Sequence, residues 1–228
     1  MKKNLNVLFF GRKNDIYSET IYKYLCSLFS NTHSIWTTKS NEKIKINKLK
    51  NKKIDILIAF RSYYIFEKKF LSKIKLLSLN FHPGPPKYRG FGCANYALFN
   101  GDKSYGVTAH LIDSKIDHGK IIDVTKFSLK KNYDLNSLLK KTHLTQVVQC
   151  KRVIKRMYKL NFSLENYSLK YPCEEKWSKI LKTKKQLDEF YEIDNKTSKK
   201  NFLRKLKSTS IENHKPYIIF YGKKFILK

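Results

Sequence analysis

Residues 79–90 read Leu79-Asn80-Phe81-His82-Pro83-Gly84-Pro85-Pro86-Lys87-Tyr88-Arg89-Gly90, an apolar run that stops on an amide and an imidazole two residues apart. Period-two alternation along a strand puts Asn80 and His82 on the same face. The Pro/Gly loop that follows is too irregular to continue a sheet. A strand end that presents a hydrogen-bond donor beside a proton acceptor describes the edge of an active site; the plainer reading is a strand and a turn. Further on, Leu111-Ile112-Asp113-Ser114-Lys115-Ile116-Asp117-His118-Gly119 places a carboxylate, Asp117, just before a glycine turn and a new apolar run. Asn80, His82 and Asp117 form a candidate constellation, with an arginine-bearing loop between them.

The flanking sequence alternates strand-like and helix-like segments. Residues 5–10 are a short apolar run closed by Gly11, and residues 18–29 carry Ile21, Tyr22, Leu25, Leu28 and Phe29 at helical spacing. Ser18 is the expected N-cap of that helix, with Glu19 in its first turn. Residues 34–37 read as a second strand, and Ile44, Ile46 and Leu49 offer a marginal helix in the Lys/Asn-rich segment beyond it. Residues 54–60 are β-branched and nearly continuous, which predicts a strand buried on both faces and parallel pairing. A short helix over 67–74, the Asn80/His82 strand over 76–82, a helix over 92–100 and strands over 105–112 and 120–129 follow. Residues 134–160 predict a long amphipathic helix, with Leu135, Leu138, Leu139, Val147, Val148, Val153, Ile154 and Met157 at spacings of three and four. The expectation is an α/β fold: an open, Rossmann-like, mostly parallel sheet with helices on both faces, collecting ligands at the carboxyl ends of its strands. Beyond residue 160 the pattern loosens. Trp177, Leu187, Phe190, Ile193, Phe202 and Leu206 are its anchors, before a hairpin of residues 217–221 and 225–227 turning at Gly222-Lys223. The expected division is a catalytic domain over 1–160, then linker helices and a C-terminal hairpin over 161–228.

With 228 residues, 41% of them hydrophobic, the chain has enough material for a substantial core. Its net charge of +30 ordinarily points to a polyanion. Here 42 of the 48 basic residues are lysine, spread along the chain, and only six are arginine, whose forks read phosphates and bases. No nucleic-acid partner is therefore expected. Neither a leader nor a run of about eighteen apolar residues is evident, so a cytoplasmic protein without a membrane partner is expected. Cys26, Cys93, Cys150 and Cys173 lack zinc-site spacing, and Cys26 and Cys150 fall in helical patterns as small hydrophobes do. His110, Asp113, Asp117 and His118 alternate across strand ends and a turn, which does not suit a metal; none is expected.

The arrangement resembles the folate-dependent formyltransferases, a family that includes methionyl-tRNA, glycinamide ribonucleotide and sugar N-formyltransferases. The resemblance rests on Asn80, His82, Lys87-Tyr88-Arg89-Gly90, Asn100-Gly101, Tyr105-Gly106-Val107-Thr108-Ala109-His110 and Asp117-His118-Gly119, and covers residues 5–129 well. Where the family usually carries two leucines and a proline, this chain has Gly84-Pro85-Pro86, a departure that leaves the three candidate residues intact and bears on the substrate. The resemblance implies 10-formyltetrahydrofolate as formyl donor and an amine as acceptor, with no metal. It implies a pterin pocket between residues 61–65 and 111–117, with Ser62, Tyr63, Tyr64, Ile65 and Asp113 as donor-binding residues; the first loop's side chains read equally well as ordinary packing.

Formyl transfer to an amine needs oxyanion stabilisation, removal of a proton from the amine and return of one to the leaving nitrogen. Asn80 suits the first task, and a donor of that kind is worth about 3 kcal/mol. His82 suits the second as base or relay, since an ordinary imidazole titrates near neutrality. Asp117 orients the imidazole and favours its charged form. Acceptor choice follows the resemblance. The tRNA enzymes add a β-barrel for which the residues after Leu206 are too few, and the glycinamide ribonucleotide enzymes stop nearer the end of the long helix. The sugar N-formyltransferases fit best, which implies a dTDP-linked amino sugar, in the first instance dTDP-4-amino-4,6-dideoxyglucose, made for O-antigen or other surface polysaccharide. Arg12 and Lys13 in the loop after the first strand could meet its pyrophosphate. Tyr88 and Arg89 are further substrate-binding candidates, Arg89 alternatively bracing its loop. Glycinamide ribonucleotide or methionyl-tRNA as acceptor, and a basic nucleic-acid-binding protein on the same fold, are the alternatives. The hairpin's strand edges could pair with a second copy to make a homodimer.

Overall fold

The computed structural model describes residues 2–38, 53–194, 196–211 and 214–227. Strand β1 (Lys3–Arg12) leads into helix α1 (Ile16–Leu28), then β2 (Phe29–Thr37). The marginal helix expected around Ile44, Ile46 and Leu49 lies outside the described residues. Strand β3 (Ile54–Phe60), the four-residue helix α2 (Lys68–Leu71) and strand β4 (Ile74–His82) follow. Short β5 (Arg89–Gly90), helix α3 (Cys93–Asn100) and strands β6 (Ser104–Leu111) and β7 (Ile121–Ser128) complete the central region, before the 25-residue helix α4 (Leu135–Lys159).

Among the described residues one six-stranded sheet runs in the order β2-β1-β3-β4-β6-β7. The pairs β1–β2, β1–β3 and β3–β4 are parallel, and β4–β6 and β6–β7 antiparallel. The sheet is thus mixed but mostly parallel, and β4 is the seam where its sense changes. Alternate residues of the buried strands serve two cores. Val7, Phe9, Ile56, Ile58, Leu79 and Phe81 pack with Ile21 and Leu25 of α1 and with Val153, Ile154 and Met157 of α4. Leu8, Phe10, Leu57 and Ala59 pack on the opposite face with Phe66, Phe70 and Leu71. Each fully buried leucine, isoleucine or phenylalanine contributes about 1.5–3 kcal/mol by leaving water. No described helix is long and apolar enough to cross a membrane.

Two expectations about the helices are corrected. Asp15, not Ser18, caps α1: its carboxylate accepts the Ser18 N–H at 2.8 Å. Ser18 is buried one turn in, where its hydroxyl accepts the Arg12 N–H and faces the Phe60 carbonyl. In α4 the sheet-facing stripe passes through Gln146 and Gln149, both buried, while Val148 is exposed. The amides win because strand carbonyls need donors: Gln149 Nε2 donates to Val107 O at 3.1 Å, and Gln146 Nε2 donates to Phe81 O, pinning from behind the strand end that carries Asn80 and His82.

The remaining elements are α5 (Leu164–Lys170), β8 (Leu181–Lys182), α6 (Lys184–Phe190), α7 (Lys199–Thr209), β9 (Tyr217–Phe220) and β10 (Lys223–Ile226). Strand β8 pairs with β5 in parallel, Arg89 opposite Leu181 and Gly90 opposite Lys182. Asn95 of α3 donates to Tyr191 Oη and to Ser208 O, tying α6 and α7 to the central region. The hairpin turns at Tyr221-Gly222, one residue earlier than expected; both take positive φ, 47° and 72°, as a primed two-residue turn requires.

Candidate active site

Asn80 sits at the seam of the sheet, opposite Ala59 on the parallel side and His110 on the antiparallel side. His82 pairs with Thr108 two residues along, so Asn80, His82, Thr108 and His110 share one face while Phe81 and Ala109 turn into the core. Asp117 reaches the same place from the turn between β6 and β7, its carboxylate Oδ2 lying 3.3 Å from His82 Nδ1. His82, His110 and Asp117 are buried, at 3%, 3% and 8% exposure. The three sequence-derived candidates are therefore together, and a second imidazole joins them.

The Asp117 turn is built for that approach. Asp117 takes a φ of 44°, in the left-handed region, and is held there by Arg89 Nε donating to its carbonyl at 2.7 Å and by the Gly90 N–H donating to Oδ2 at 2.8 Å. At Gly119 a Cβ would lie 2.0 Å from Leu111 O, so the turn closes against β6 only because that residue is glycine.

Hydrogen bonding fixes the protons. His82 Nε2 lies 2.8 Å from Tyr88 O, which can only accept, and Nδ1 faces a carboxylate. Protons on both nitrogens would satisfy both neighbours, which favours the imidazolium form of His82. Burial opposes that charge, but the Asp117 carboxylate and the Cys93 sulfur overrule it and raise the pKa well above 6.5. Burial likewise opposes the charge of Asp117, and the neighbouring His82 outweighs it, holding the carboxyl far below the usual range. A protonated His82 fits the relay half of the role expected from the sequence: it can pass on one proton and be restored by another. In His110, Nδ1 donates to Leu111 O at 2.7 Å, and Nε2 accepts the Asn80 Nδ2–H at 2.9 Å. His110 Nε2 is also 3.7 Å from Asp117 Oδ1. Sequence reading met His110 in a family segment and in a rejected metal group; its signal was the position opposite Asn80, invisible until β6 is known to pair antiparallel with β4.

A second charged cluster lies at the carboxyl ends of β1 and β3, where the strand order reverses. Arg61 Nε donates to Asp15 Oδ2 at 2.9 Å with both side chains buried. Arg12 lies over the Tyr63 ring, 4.3 Å from its centroid, and its buried Nε has no hydrogen-bond partner among the described residues. Asp15 thus pairs with Arg61, while Arg12 adds a second guanidinium whose charge acts on Arg61. Burial and these cations push the nearby His143 down to about 3. Lys13 is exposed beside them, its N–H donating to Thr37 O.

The other candidates divide. Tyr64 packs against Phe10 and Phe66 in the same cluster as Ile112, which brings residues 61–65 and 111–117 together. Ser62 Oγ accepts the Tyr64 N–H, and Ile65 is exposed. Asp113 is at the rim, bonded to the Lys115 N–H and to His118 Nδ1. Tyr88 is buried with its hydroxyl bonded to Asp102 and Asn100, which leaves the site its carbonyl alone. Arg89 spends its guanidinium on the carbonyls of Asp117, Ile116 and Ser178, and so braces the loop. A cavity of about 570 Å³ between β7, α4 and residues 170–175 includes none of these residues. The four cysteines are free thiols, and among the described residues no group of three or more His, Cys, Asp or Glu is placed to hold a metal.

The sequence profile described as "Formyl transferase" matches residues 8–154, about two-thirds of the chain. The chain belongs to the formyl transferase family. Methionyl-tRNA formyltransferase of Mycoplasmopsis pulmonis is 32% identical over 169 residues, which are 74% of this chain and 55% of that protein. The chain spans about half or less of the length of the curated relatives it matches. Among solved structures, a 4-N formyltransferase from Francisella tularensis superposes with a TM-score of 0.78 at 18% identity, covering 99% of this chain and 97% of that one. The N-formyltransferase from Helicobacter canadensis, solved with folinic acid and dTDP-3-aminofucose, gives 0.68 at 18% identity over 90% and 80% of the two chains. These likenesses establish the formyltransferase fold along the chain, including the region beyond the family match.

Proposed function

We propose that the chain transfers a formyl group from 10-formyltetrahydrofolate to the amine of a nucleotide-linked amino sugar, with dTDP-4-amino-4,6-dideoxyglucose as the first acceptor to test. The observation that carries this reading is a side-chain amide donor, Asn80, beside a buried imidazolium–carboxylate pair at the end of β4. The donor would supply a formamide carbon open to attack by the acceptor amine. Residues 62–65, outside any helix or strand, and exposed Ile65 border the neighbouring strand end and suit that donor through backbone contacts and packing. Asn80 presents its second amide N–H to the developing oxyanion, and the His82 imidazolium adds a fixed positive charge that Asp117 maintains. The His82 imidazolium gives a proton to the leaving nitrogen, and the proton lost by the amine, relayed past the Asp117 carboxylate, restores it.

Arg12 and Lys13, beside a buried excess of positive charge, suit a pyrophosphate. The dTDP-3-aminofucose in the Helicobacter canadensis complex supports the choice of acceptor class. The setting that follows is surface polysaccharide synthesis in the cytoplasm, by a homodimer formed through the hairpin, where Phe220, Tyr221, Phe225 and Ile226 are exposed.

Release of tetrahydrofolate is to be followed with dTDP-, UDP- and GDP-linked amino sugars. Turnover with one of them, lost in Asn80→Ala, supports the reading, and no turnover across the set defeats it. The likeness to Mycoplasmopsis pulmonis methionyl-tRNA formyltransferase favours a second acceptor, and charged initiator tRNA belongs in the same assay.

A further inference from the structure

Residues beyond the family match reach the centre of the site. Trp177 lies in the segment between α5 and β8, and its indole stands nearly perpendicular to both imidazoles: 5.6 Å and 76° from His82, 5.1 Å and 89° from His110. Its Nε1–H donates to Gly119 O at 2.8 Å, two residues past Asp117, which fixes the ring in its own plane. The chain around it is laced to the catalytic loop. Ser178 N–H donates to Pro86 O, Arg89 Nη1 donates to Ser178 O, and Phe91 N–H donates to Lys182 O, continuing the β5–β8 pairing. Gly90 permits that pairing, because a Cβ there would stand 2.2 Å from Lys182 O.

We propose that Trp177 is a positioning residue for formyl transfer, walling the His82–Asp117 pair off from water and holding both imidazoles at the angle the reaction uses. The indole is itself half-buried, whereas the two histidines behind it are almost fully covered. A perpendicular ring contact sets a positive edge against a π face, and an imidazolium gains more from it than a neutral ring does. The groups facing His82 are the Asp117 carboxylate from the β6–β7 turn, the Cys93 thiol from α3 and the Tyr88 carbonyl from the loop; His110 reaches it through Asp117. Because the carboxylate outweighs burial, water admitted by loss of the indole weakens both effects and moves His82 back toward its ordinary titration.

The inference rests on the proposed reaction for its catalytic part only, and its test has an arm that needs no substrate. The His82 ring resonances of the full chain are titrated by NMR in wild type, Trp177→Phe and Trp177→Ala, with His82→Gln for assignment. Trp177→Ala is expected to lower the His82 midpoint by about one pH unit or more. It is also expected to lower kcat about tenfold or more while KM for the acceptor stays within about twofold. Trp177→Phe, which keeps a π face, is expected to hold the midpoint. A folded Trp177→Ala protein with the wild-type midpoint and kcat overturns the proposal. If alanine prevents folding, Trp177→Leu, bulky but without a π face, carries the same expectation and the same overturning result. If wild type turns over no acceptor, the proposed function falls and the titration still decides whether Trp177 governs His82.

Discussion

His110 Nε2 accepts the Asn80 side-chain N–H at 2.9 Å, and this one contact decides which way the Asn80 amide faces. One N–H is spent on the imidazole, so the other is aimed without needing a substrate to orient it. Asn80→Ala should lower kcat by about 10²–10³. His110→Phe, which keeps a ring but neither nitrogen, should lower it by a comparable factor. The two act through the same amide, so the double variant should be little worse than either alone, as measured by single-turnover formyl transfer.

Two histidines bend the pH dependence of stability in opposite directions. His82 is raised above its unfolded value near 6.5, so its contribution is full below about 6.5 and is lost as pH climbs through the raised folded value. His143 is lowered to about 3 and stays neutral in the fold; its contribution is full above about 6.5 and drains as pH falls toward 3, when the unfolded chain takes up the proton. Asp117 behaves as a depressed carboxylate, losing its contribution as pH falls below about 4. Urea unfolding across pH should show the acid limb flattened in His143→Phe and the alkaline limb flattened in His82→Gln. Neither group can change the slope by more than about 1.4 kcal/mol per pH unit.

Asp15 pairs with Arg61 in the buried cluster, and it also caps α1. Its removal strands a buried guanidinium and opens a helix end. Asp15→Ala should cost about 3–5 kcal/mol in equilibrium unfolding. Asp15→Asn, which keeps the cap geometry, should recover only part of that loss.

Gly119→Ala tests the turn. A Cβ there meets Leu111 O at 2.0 Å, so the turn must shift and carry Asp117 away from His82. Thermal unfolding should show a lower Tm, and the His82 titration should move toward 6.5.

The sheet was legible because its strands are apolar and bounded by glycine, proline or charge; Asn80 and His82 were legible because they end such a run, and Asp117 because it stands just before a glycine turn. Less visible was whatever depends on partners distant in the chain. Gln146 and Gln149 break the apolar stripe of α4, yet they face the sheet to satisfy carbonyls of β4 and β6. Asp15 outcompeted Ser18 as the cap because Ser18 was needed inside, between Arg12 N and Phe60 O. Helices α6 and α7 are short and polar, and they are tied to α3 through Asn95, a residue no periodicity marks. Trp177 read only as an isolated anchor, since nothing near it in sequence reveals two imidazoles beneath its ring.

The pairing of Asn80 with His110 across the sheet seam has a practical side. Side chains alternate with every residue, so a one-residue slip of β6 against β4 would leave helix and strand content untouched while turning His110 to the far side. A misassembled molecule of that kind is spectroscopically ordinary and chemically dead. For refolded or stored protein, turnover per mole is therefore a more stringent gauge of correct assembly than circular dichroism.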